Sequence, residues 1–243
     1  MRVAIVSDIH GNRHAFETVL AAVAEAGAEQ TWCLGDLVGY GADPDACVAL
    51  AREHCDVVLA GNHDLAVTGA LSIEDFSSGA ALAAQWTIGT IDPAARDWLG
   101  TLDPRGHRAG VGLYHGSPRD PVWEYVLSNS AAAASLDTAP EDVCLIGHSH
   151  VALAFERPPG GRTEGAPREA GDVADLRAGE WLLNPGSVGQ PRDGDPRAAW
   201  LMLDTDARSA TWRREEYDIE GAAAAIRSAG LPGSLAERLA RGQ

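Results

Sequence analysis

Five short apolar runs in this chain each end in a cluster of polar residues, and this pattern limits the folds that the chain can adopt. The clusters read SDIHGN after Val6, GDLVGYG after Leu34, GNHD after Ala60, HGSPRD after Tyr114 and GHSH after Ile146. In a sheet built from crossover connections, the loops at the carboxyl ends of the strands aim their side chains at a common place. We therefore expect the five clusters to meet.

The first third of the chain indicates alternating strands and helices. Val3–Val6, Trp32–Leu34 and Val57–Ala60 are typical of short buried strands. Apolar residues recur at helical spacing over Ala15–Val23, and Pro44 follows a capping Asp43 at the start of a second helix. Because each crossover needs a helix to return the chain, some of the strand pairing should be parallel.

The pattern in the rest of the chain predicts two helices, then a sheet-rich half, then two closing helices. SSGAALAAQWTIGTI and DPAARDWLGTL have helical spacing, and the strand candidates are VGLYHG, DVCLIG, VALAFE, EWLLN, AAWLMLD and ATWRREEY. The closing helices are expected over Ile219–Ala229 and Leu235–Ala240. The Gly- and Pro-rich interval Pro158–Asp172 predicts a mobile loop outside the core, a hairpin excursion being favoured over a lid. With no linker in 243 residues, we expect a single domain, 1–243.

Charge and cysteine content restrict the partners and the compartment. The formal charge of −16 opposes attraction to nucleic acid or to an anionic membrane surface, and phosphate chemistry would need a local source of positive charge. The four cysteines form no CxxC pair, which favours free thiols in a reducing cytoplasm. The apolar run at the start is too short for a signal-peptide core, and no later run is long enough to span a bilayer. We expect a cytoplasmic protein.

The polar clusters hold seven candidate metal ligands: Asp8, His10, Asp36, Asn62, His115, His148 and His150. Asp8 and His10 are two residues apart, which in an extended chain puts both side chains on one face. His148 and His150 repeat this spacing. An isolated Asp or His after a strand is more often a cap or a turn former, so the prediction rests on the five clusters together.

Carboxylate, imidazole and amide donors together suit transition metals better than Ca²⁺ or Mg²⁺. We expect two divalent ions, with Mn²⁺ favoured and Fe, Zn or Ni as alternatives, and Asp36 could bridge them. Asp8 and Asp36 would cancel only half of the charge of two such ions. The surplus could attract a phosphate into an otherwise acidic protein.

The ordered motifs resemble the signature of the calcineurin-like metallophosphoesterases: D-x-H, G-D-x-x, G-N-H-[DE], H and G-H-x-H. They correspond to Asp8/His10, Gly35/Asp36, Gly61–Asp64, His115 and Gly147–His150. The segment NPGSVGQPRDGDP, Asn184–Pro196, is similar to the one that follows in the YfcE-like bacterial and archaeal branch. As a combination these motifs are specific, whereas GNHD alone would be weak.

The resemblance implies an α/β (α+β) fold, a four-layer αββα sandwich of two mixed β-sheets flanked by helices, with a dinuclear site at one edge. It implies one ion held by Asp8, His10, Asp36 and His150, and a second held by Asp36, Asn62, His115 and His148. His63 would protonate the leaving oxygen and Asp64 would orient it. Hydroxide shared by the two ions would attack a small phosphodiester or phosphomonoester, the branch favouring diesters.

Departures from the family pattern bear on the substrate. GDLVGYG lacks the Asp-Arg pair of the GDxxDRG motif found in protein phosphatases, which argues against that activity. The candidate substrate contacts are Asn12, Tyr40, Arg119 and Arg192, since guanidinium groups match phosphate oxygens. Two alternatives stay open: a binding scaffold without turnover, whose relatives lack the acid histidine, and a nuclease, which the net charge disfavours. The sequence leaves the oligomeric state open.

Overall fold

Twelve strands and eight helices make up the protein, as described over residues 1–243 by a computed structural model. The strands are β1 Arg2–Val6, β2 Gln30–Cys33, β3 Val57–Val58, β4 Arg105–Arg108, β5 Val111–Tyr114, β6 Val143–Leu145, β7 Ala152–Arg157, β8 Glu164–Pro167, β9 Val173–Asp175, β10 Glu180–Pro185, β11 Ala198–Asp204 and β12 Ser209–Glu215. The helices are α1 Arg13–Glu25, α2 Pro44–His54, α3 Asn62–Thr68, α4 Ser78–Thr90, α5 Pro93–Leu99, α6 Asn129–Leu136, α7 Ile219–Ser228 and α8 Gly233–Leu239. None of the helices is both long and apolar enough to cross a lipid bilayer.

The strands form two mixed six-stranded sheets. The first has the order β3-β2-β1-β11-β12-β9, in which β1, β2 and β3 are parallel and the other pairs are antiparallel. The second has the order β4-β5-β6-β10-β7-β8, in which β5, β6 and β10 are parallel. The expected parallel pairing is therefore present at the centre of each sheet, where the polar clusters follow β1, β2 and β6.

Alternating side chains of the strands build the layers of the sandwich. From β1, Val3 and Ile5 join the apolar cluster between the two sheets, while Ala4 and Val6 pack on the other side with residues of α1, α2 and α5. In the second sheet, Leu182 faces outward into a cluster that α6 covers. Both sheets are thus buried on two faces, which gives the predicted four layers and explains why their central strands are continuously apolar.

Most predicted elements are present, and the differences lie in short or polar segments. β3 ends at Val58 rather than Ala60, and the GNHD cluster is the first turn of α3, which the sequence analysis did not predict. The interval Pro158–Asp172, expected to be a loop, contains the exposed strand β8, paired antiparallel with β7. The favoured hairpin excursion is therefore present, but strand β8 itself was not predicted, because it is exposed on both faces and no apolar alternation marks it.

Candidate metal centre

The polar clusters that follow β1, β2, β3, β5 and β6 meet at one edge of the sandwich, as predicted from their positions. Two groups of buried side chains gather there, one of Asp8, His10, Asp36 and His150, the other of Asp36, His115 and His148. Within each group the donor atoms lie within 4.8 Å of one another. Asp36 belongs to both groups.

Distances in the first group are those of donors surrounding one point. The Nε2 atoms of His10 and His150 are 3.0 Å apart. Asp8 Oδ1 lies 3.4 Å from Nε2 of His150, and Asp36 Oδ2 lies 3.6 Å from Nε2 of His10. Each residue therefore presents a ring nitrogen or a carboxylate oxygen to the same small volume.

The second group is arranged in the same way around the other side of Asp36. Nε2 of His115 is 3.5 Å from Asp36 Oδ2 and 3.1 Å from Oδ1 of Asn62. Nε2 of His148 is buried and has no hydrogen-bond partner. Asn62 thus lies where the sequence predicted a neutral oxygen donor, and His148 has a free lone pair or proton with nothing in the chain to satisfy it.

Backbone carbonyl groups fix the orientation of three of the imidazoles. Nδ1 of His10 lies 3.0 Å from the Val38 oxygen, that of His115 3.0 Å from Leu34, and that of His150 2.6 Å from Gln190. A carbonyl accepts only, so these Nδ1 atoms carry protons and a neutral ring presents an Nε2 lone pair. Two lone pairs then face each other across the 3.0 Å between His10 and His150, an arrangement that a bound cation would stabilise.

The backbone at the site is held in a conformation that most residues avoid. Positive φ angles between 52° and 63° occur at six residues of the site: Asp8, His10, Asp36, Tyr40, His148 and His150. Asp and His tolerate this left-handed region better than most side chains, whereas a bulky residue such as Tyr40 does not. Such strain costs on the order of 1–3 kcal/mol per residue and concentrates at functional sites.

Burial controls the charge of the isolated protein at this site. It raises the pKa of Asp8 to about 7 and that of Asp36 well above its usual range. It lowers the pKa of His10, His148 and His150 well below the ordinary value. These three imidazoles are therefore neutral, and no arginine nitrogen lies within 4.0 Å of either carboxylate. A donor set of this chemistry fits divalent metal ions, which would compensate both carboxylates.

His63 and Asp64 lie beside the metal ligands but do not pair with each other. The ring of His63 lines the adjoining cavity, and its Nδ1 is buried without a partner against Gly39, where an added Cβ would come within 2.3 Å. The Asp64 carboxylate instead accepts hydrogen bonds from the amides of Gly61, Leu37 and Val38. The predicted orientation of His63 by Asp64 therefore has no direct side-chain contact to support it, because the Asp64 oxygens bind three backbone amides.

The protonation state of His63 bears on its predicted role as an acid. Burial lowers the pKa of His63 to about 3, so the ring is neutral at neutral pH in the protein alone. Its amide donates to Asp36 Oδ1 at 2.9 Å, which leaves Oδ2 of that carboxylate for both ligand groups. Gly61 permits this contact, since a Cβ there would lie 2.0 Å from Asp36 Oδ1.

A cavity of about 290 Å³ opens beside the metal ligands. Tyr40 and Arg192 line it, as the sequence analysis expected, whereas no residue of Pro158–Asp172 does. Four further lining residues were not predicted from the sequence: Phe76, Trp123, Tyr125 and Arg238. None of the four belongs to a strand-end motif, although Trp123 and Tyr125 come soon after HGSPRD, and all four reach the cavity through tertiary packing.

The other two predicted substrate contacts have structural roles. The side chain of Asn12 caps α1 by accepting from the Ala15 amide at 3.1 Å, and its Nδ2 donates to the Gly189 oxygen at 2.9 Å. Arg119 lies 3.6 Å from Glu124 and is largely exposed. Neither lines the cavity. Both side chains have partners within the chain, and their contact with substrate stays a prediction.

The Asn184–Pro196 segment supports the ligand loops rather than contributing ligands. The Ser187 hydroxyl donates to the backbone carbonyl oxygen of Asp8 at 2.7 Å, and Asn184 Nδ2 donates to the backbone carbonyl oxygen of Gly147 at 2.7 Å. The Gln190 oxygen holds the His150 ring. This segment therefore connects the first and last ligand loops.

Two mixed sheets between helices, with clustered Asp and His side chains at one edge, define the class of metal-dependent phosphoesterases. The chain belongs to the calcineurin-like phosphoesterase superfamily, since the model of that domain matches residues 1–208.

Relatives of this chain cover its full length. It is 34% identical to the uncharacterized protein MJ0912 of Methanocaldococcus jannaschii, over 99% of this chain and 98% of that one. A metallophosphoesterase from Sphaerobacter thermophilus is 38% identical with a TM-score of 0.89, covering 100% and 99% of the two chains. Hypothetical protein PH1004 from Pyrococcus horikoshii has the same fold, at 19% identity, a TM-score of 0.78 and coverage of 100% and 98%. YfcE of E. coli is also among the structural neighbours.

Proposed function

We propose that this protein hydrolyses a small phosphate ester with the help of two divalent metal ions, a phosphodiester being favoured over a monoester. The observation that carries the proposal is the pair of buried Asp and His groups that share Asp36 beside an open cavity. Membership of the superfamily supports phosphoester hydrolysis. The diester preference follows from the resemblance of Asn184–Pro196 to the YfcE-like branch.

The residues present fit two ions with mixed ligands. Asp8, His10, Asp36 and His150 would hold one, and Asp36, Asn62, His115 and His148 the other. Ions bound there would supply positive charge for the phosphate and lower the pKa of a water molecule. Imidazole-rich donors favour Mn²⁺, Fe or Zn²⁺, with Ni²⁺ also compatible, over Mg²⁺.

We assign proton donation to Nε2 of His63. Its Nδ1 edge is buried against Gly39, so Nε2 is the ring atom that faces the cavity. The neutral ring of the free protein can gain a proton when an anionic phosphate enters, because a nearby negative charge favours the imidazolium. His63 would then protonate the leaving oxygen, a step typically worth about 10²–10⁴-fold in rate.

The walls of the cavity suit a small organic ester. Phe76 and Trp123 lie together with ring centroids 5.4 Å apart, and Tyr125 stacks on His148 at 4.1 Å. These rings offer apolar surface to the organic part of a substrate. Tyr40 and Arg192 line the same cavity. We therefore place the ester at the metal ligands and its organic group against the aromatic wall.

The same features weigh against the two alternatives. A scaffold without turnover would not need an acid at the cavity, and His63 is present there. A nuclease needs a basic approach surface, which the net charge of −16 opposes. The proposal also includes a single functional domain over residues 1–243. It includes a cytoplasmic location, because all four cysteines are free thiols.

Hydrolysis of bis-p-nitrophenyl phosphate and of p-nitrophenyl phosphate tests this proposal. We expect turnover of both with added Mn²⁺, a higher kcat/KM for the diester, and loss of activity on chelation. His150→Ala should abolish hydrolysis, whereas His107→Ala, an exposed histidine away from the cavity, should match the wild type. Absence of turnover with Mn²⁺, Fe²⁺, Zn²⁺ and Ni²⁺ alike would overturn the proposal.

A further inference from the structure

Two arginines line the cavity without any carboxylate partner. Arg192 lies in the Asn184–Pro196 segment, and Arg238 lies in α8, beyond the residues that match the family domain. The side-chain oxygen of Gln190 is 3.1 Å from an Arg192 nitrogen and 3.3 Å from an Arg238 nitrogen. One amide oxygen therefore accepts from two guanidinium groups and brings both to the same part of the cavity.

Neighbouring arginines in this region do have acidic partners. Arg197 pairs with Asp195 at 2.6 Å, and Arg214 pairs with Asp193, the residue next to Arg192. In a chain with 35 acidic and 19 basic residues, a half-buried arginine has many potential partners. Asp75 also lines the cavity, but it lies more than 4.0 Å from both Arg192 and Arg238.

Contacts within the chain hold the guanidinium group of Arg192 in place, and its like charge makes the proximity of Arg238 unfavourable. Arg192 lies over the ring of Tyr40, 5.6 Å from its centroid, and its Nε is buried without a partner. Burial, followed by the like charge of Arg192, lowers the pKa of Arg238. Two neighbouring cations with reduced hydration are relieved by an anion, and guanidinium groups match oxyanions in geometry.

The charge available exceeds what one ester phosphate needs. Two divalent ions balanced by Asp8 and Asp36 already leave a surplus for the reacting phosphate, and the arginines add two further positive charges. We infer that the Arg192–Arg238 pair binds a second anionic group of the substrate, a phosphate or similar oxyanion remote from the ester that is cleaved. This inference rests on the proposed function and narrows its substrate class to esters with two anionic groups.

Two matched chromogenic esters test the inference: the p-nitrophenyl ester of thymidylate, and the same ester with a second phosphate on the other sugar hydroxyl. We expect the wild type to prefer the doubly charged ester by roughly ten-fold or more in kcat/KM, as for one charge-assisted contact. Arg238→Gln should reduce this ratio about ten-fold, mainly through KM, and Arg192→Gln should reduce it too. Arg241→Gln, an exposed arginine one turn further on, should keep the wild-type ratio.

Calorimetric titration with thymidylate and with thymidine bisphosphate provides a readout that needs no turnover. The bisphosphate should bind more tightly to the wild type, and Arg238→Gln should remove most of the difference. A wild-type protein that hydrolyses or binds both members of each pair equally well would overturn the inference while leaving the proposed function intact. The inference would also be overturned if Arg238→Gln, with thermal melting like that of the wild type, left the ratio of kcat/KM for the two esters unchanged. Failure to hydrolyse any ester, with the binding preference present, would instead overturn the proposed function alone.

Discussion

Three imidazoles at the candidate metal centre have one nitrogen bound to the backbone and the other directed at neighbouring donor atoms. The Nδ1 atoms of His10, His115 and His150 face backbone carbonyl groups, which sets their tautomers before any ion is bound. Asp36 is divided in the same way, with Oδ1 on the His63 amide and Oδ2 toward His10 and His115. Pre-set donors reduce the reorganisation that ion binding requires.

His63 is the residue whose role is most sharply separable from metal binding. His63→Gln should retain both ions and lose about 10²–10⁴-fold in kcat on alkyl phosphodiesters, because a poor leaving group needs the proton. The loss should be much smaller with p-nitrophenolate, which leaves without one. Steady-state kinetics on the two kinds of ester, with metal analysis, provides the measurement.

Asp64→Asn is the contrasting variant. The Asp64 carboxylate ties two amides of the loop after β2, Leu37 and Val38, to the start of α3 at Gly61. Its loss should lower the free energy of unfolding by on the order of 1–3 kcal/mol while keeping the same leaving-group dependence. A His63→Gln protein that loses its ions, or that slows equally on both kinds of ester, would contradict the assignment of proton donation to His63.

Among the elements, the ligand loops are close-packed against one another with little room for added atoms. A Cβ on Gly189 would come within 1.8 Å of the Ile9 oxygen, and one on Gly41 within 2.2 Å of the His10 oxygen. The amide of Gly189 also donates a hydrogen bond to the backbone carbonyl oxygen of Asp8. Metal affinity should therefore depend on residues that contact no ion.

Gly189→Ala tests this dependence. The methyl group must displace the loop that follows β1, so we expect a loss of about 1–3 kcal/mol in the free energy of unfolding together with weaker metal binding. Denaturant melts and metal titration measure the two effects. The control is Gly79→Ala in α4, where nothing lies within 4 Å and alanine should be neutral or stabilising. Unchanged metal affinity in Gly189→Ala would show that the loops are less tightly coupled than their packing indicates.

Sequence reasoning was most successful for elements with a buried face. The apolar runs of β1 and β11 and the spacing in α1 are read directly from the chain, because burial imposes their pattern. β8 and β4 are exposed and polar, so no such pattern exists. The GNHD cluster was predicted as a polar loop, but Asp64 binds the amides of Gly61, Leu37 and Val38 and so starts α3 there.

For the whole molecule, the sandwich brings together residues from Asp8 to His150 that are separated by most of the family domain. Those residues could be predicted because each follows a strand within a short motif. Arg238 could not, since α8 reaches the cavity through a cluster that it forms with Tyr40, α4 and α7. The intramolecular partners of Asn12 and Arg119, which are Gly189 and Glu124, likewise became visible only in the fold, and contact of these two side chains with substrate stays a prediction.

The central claim is that Asp36 holds two ions at once. Elemental analysis of the metal-loaded protein after removal of free ions, with thermal melting as a check on folding, tests it most directly. Asp36→Asn preserves the oxygen that accepts from the His63 amide, and Asp75→Asn changes a cavity carboxylate outside both ligand groups. We predict two ions per chain in the wild type and in Asp75→Asn, and fewer than one in a folded Asp36→Asn protein. A wild type with one ion or none, or an Asp36→Asn protein that retains two, would contradict the account.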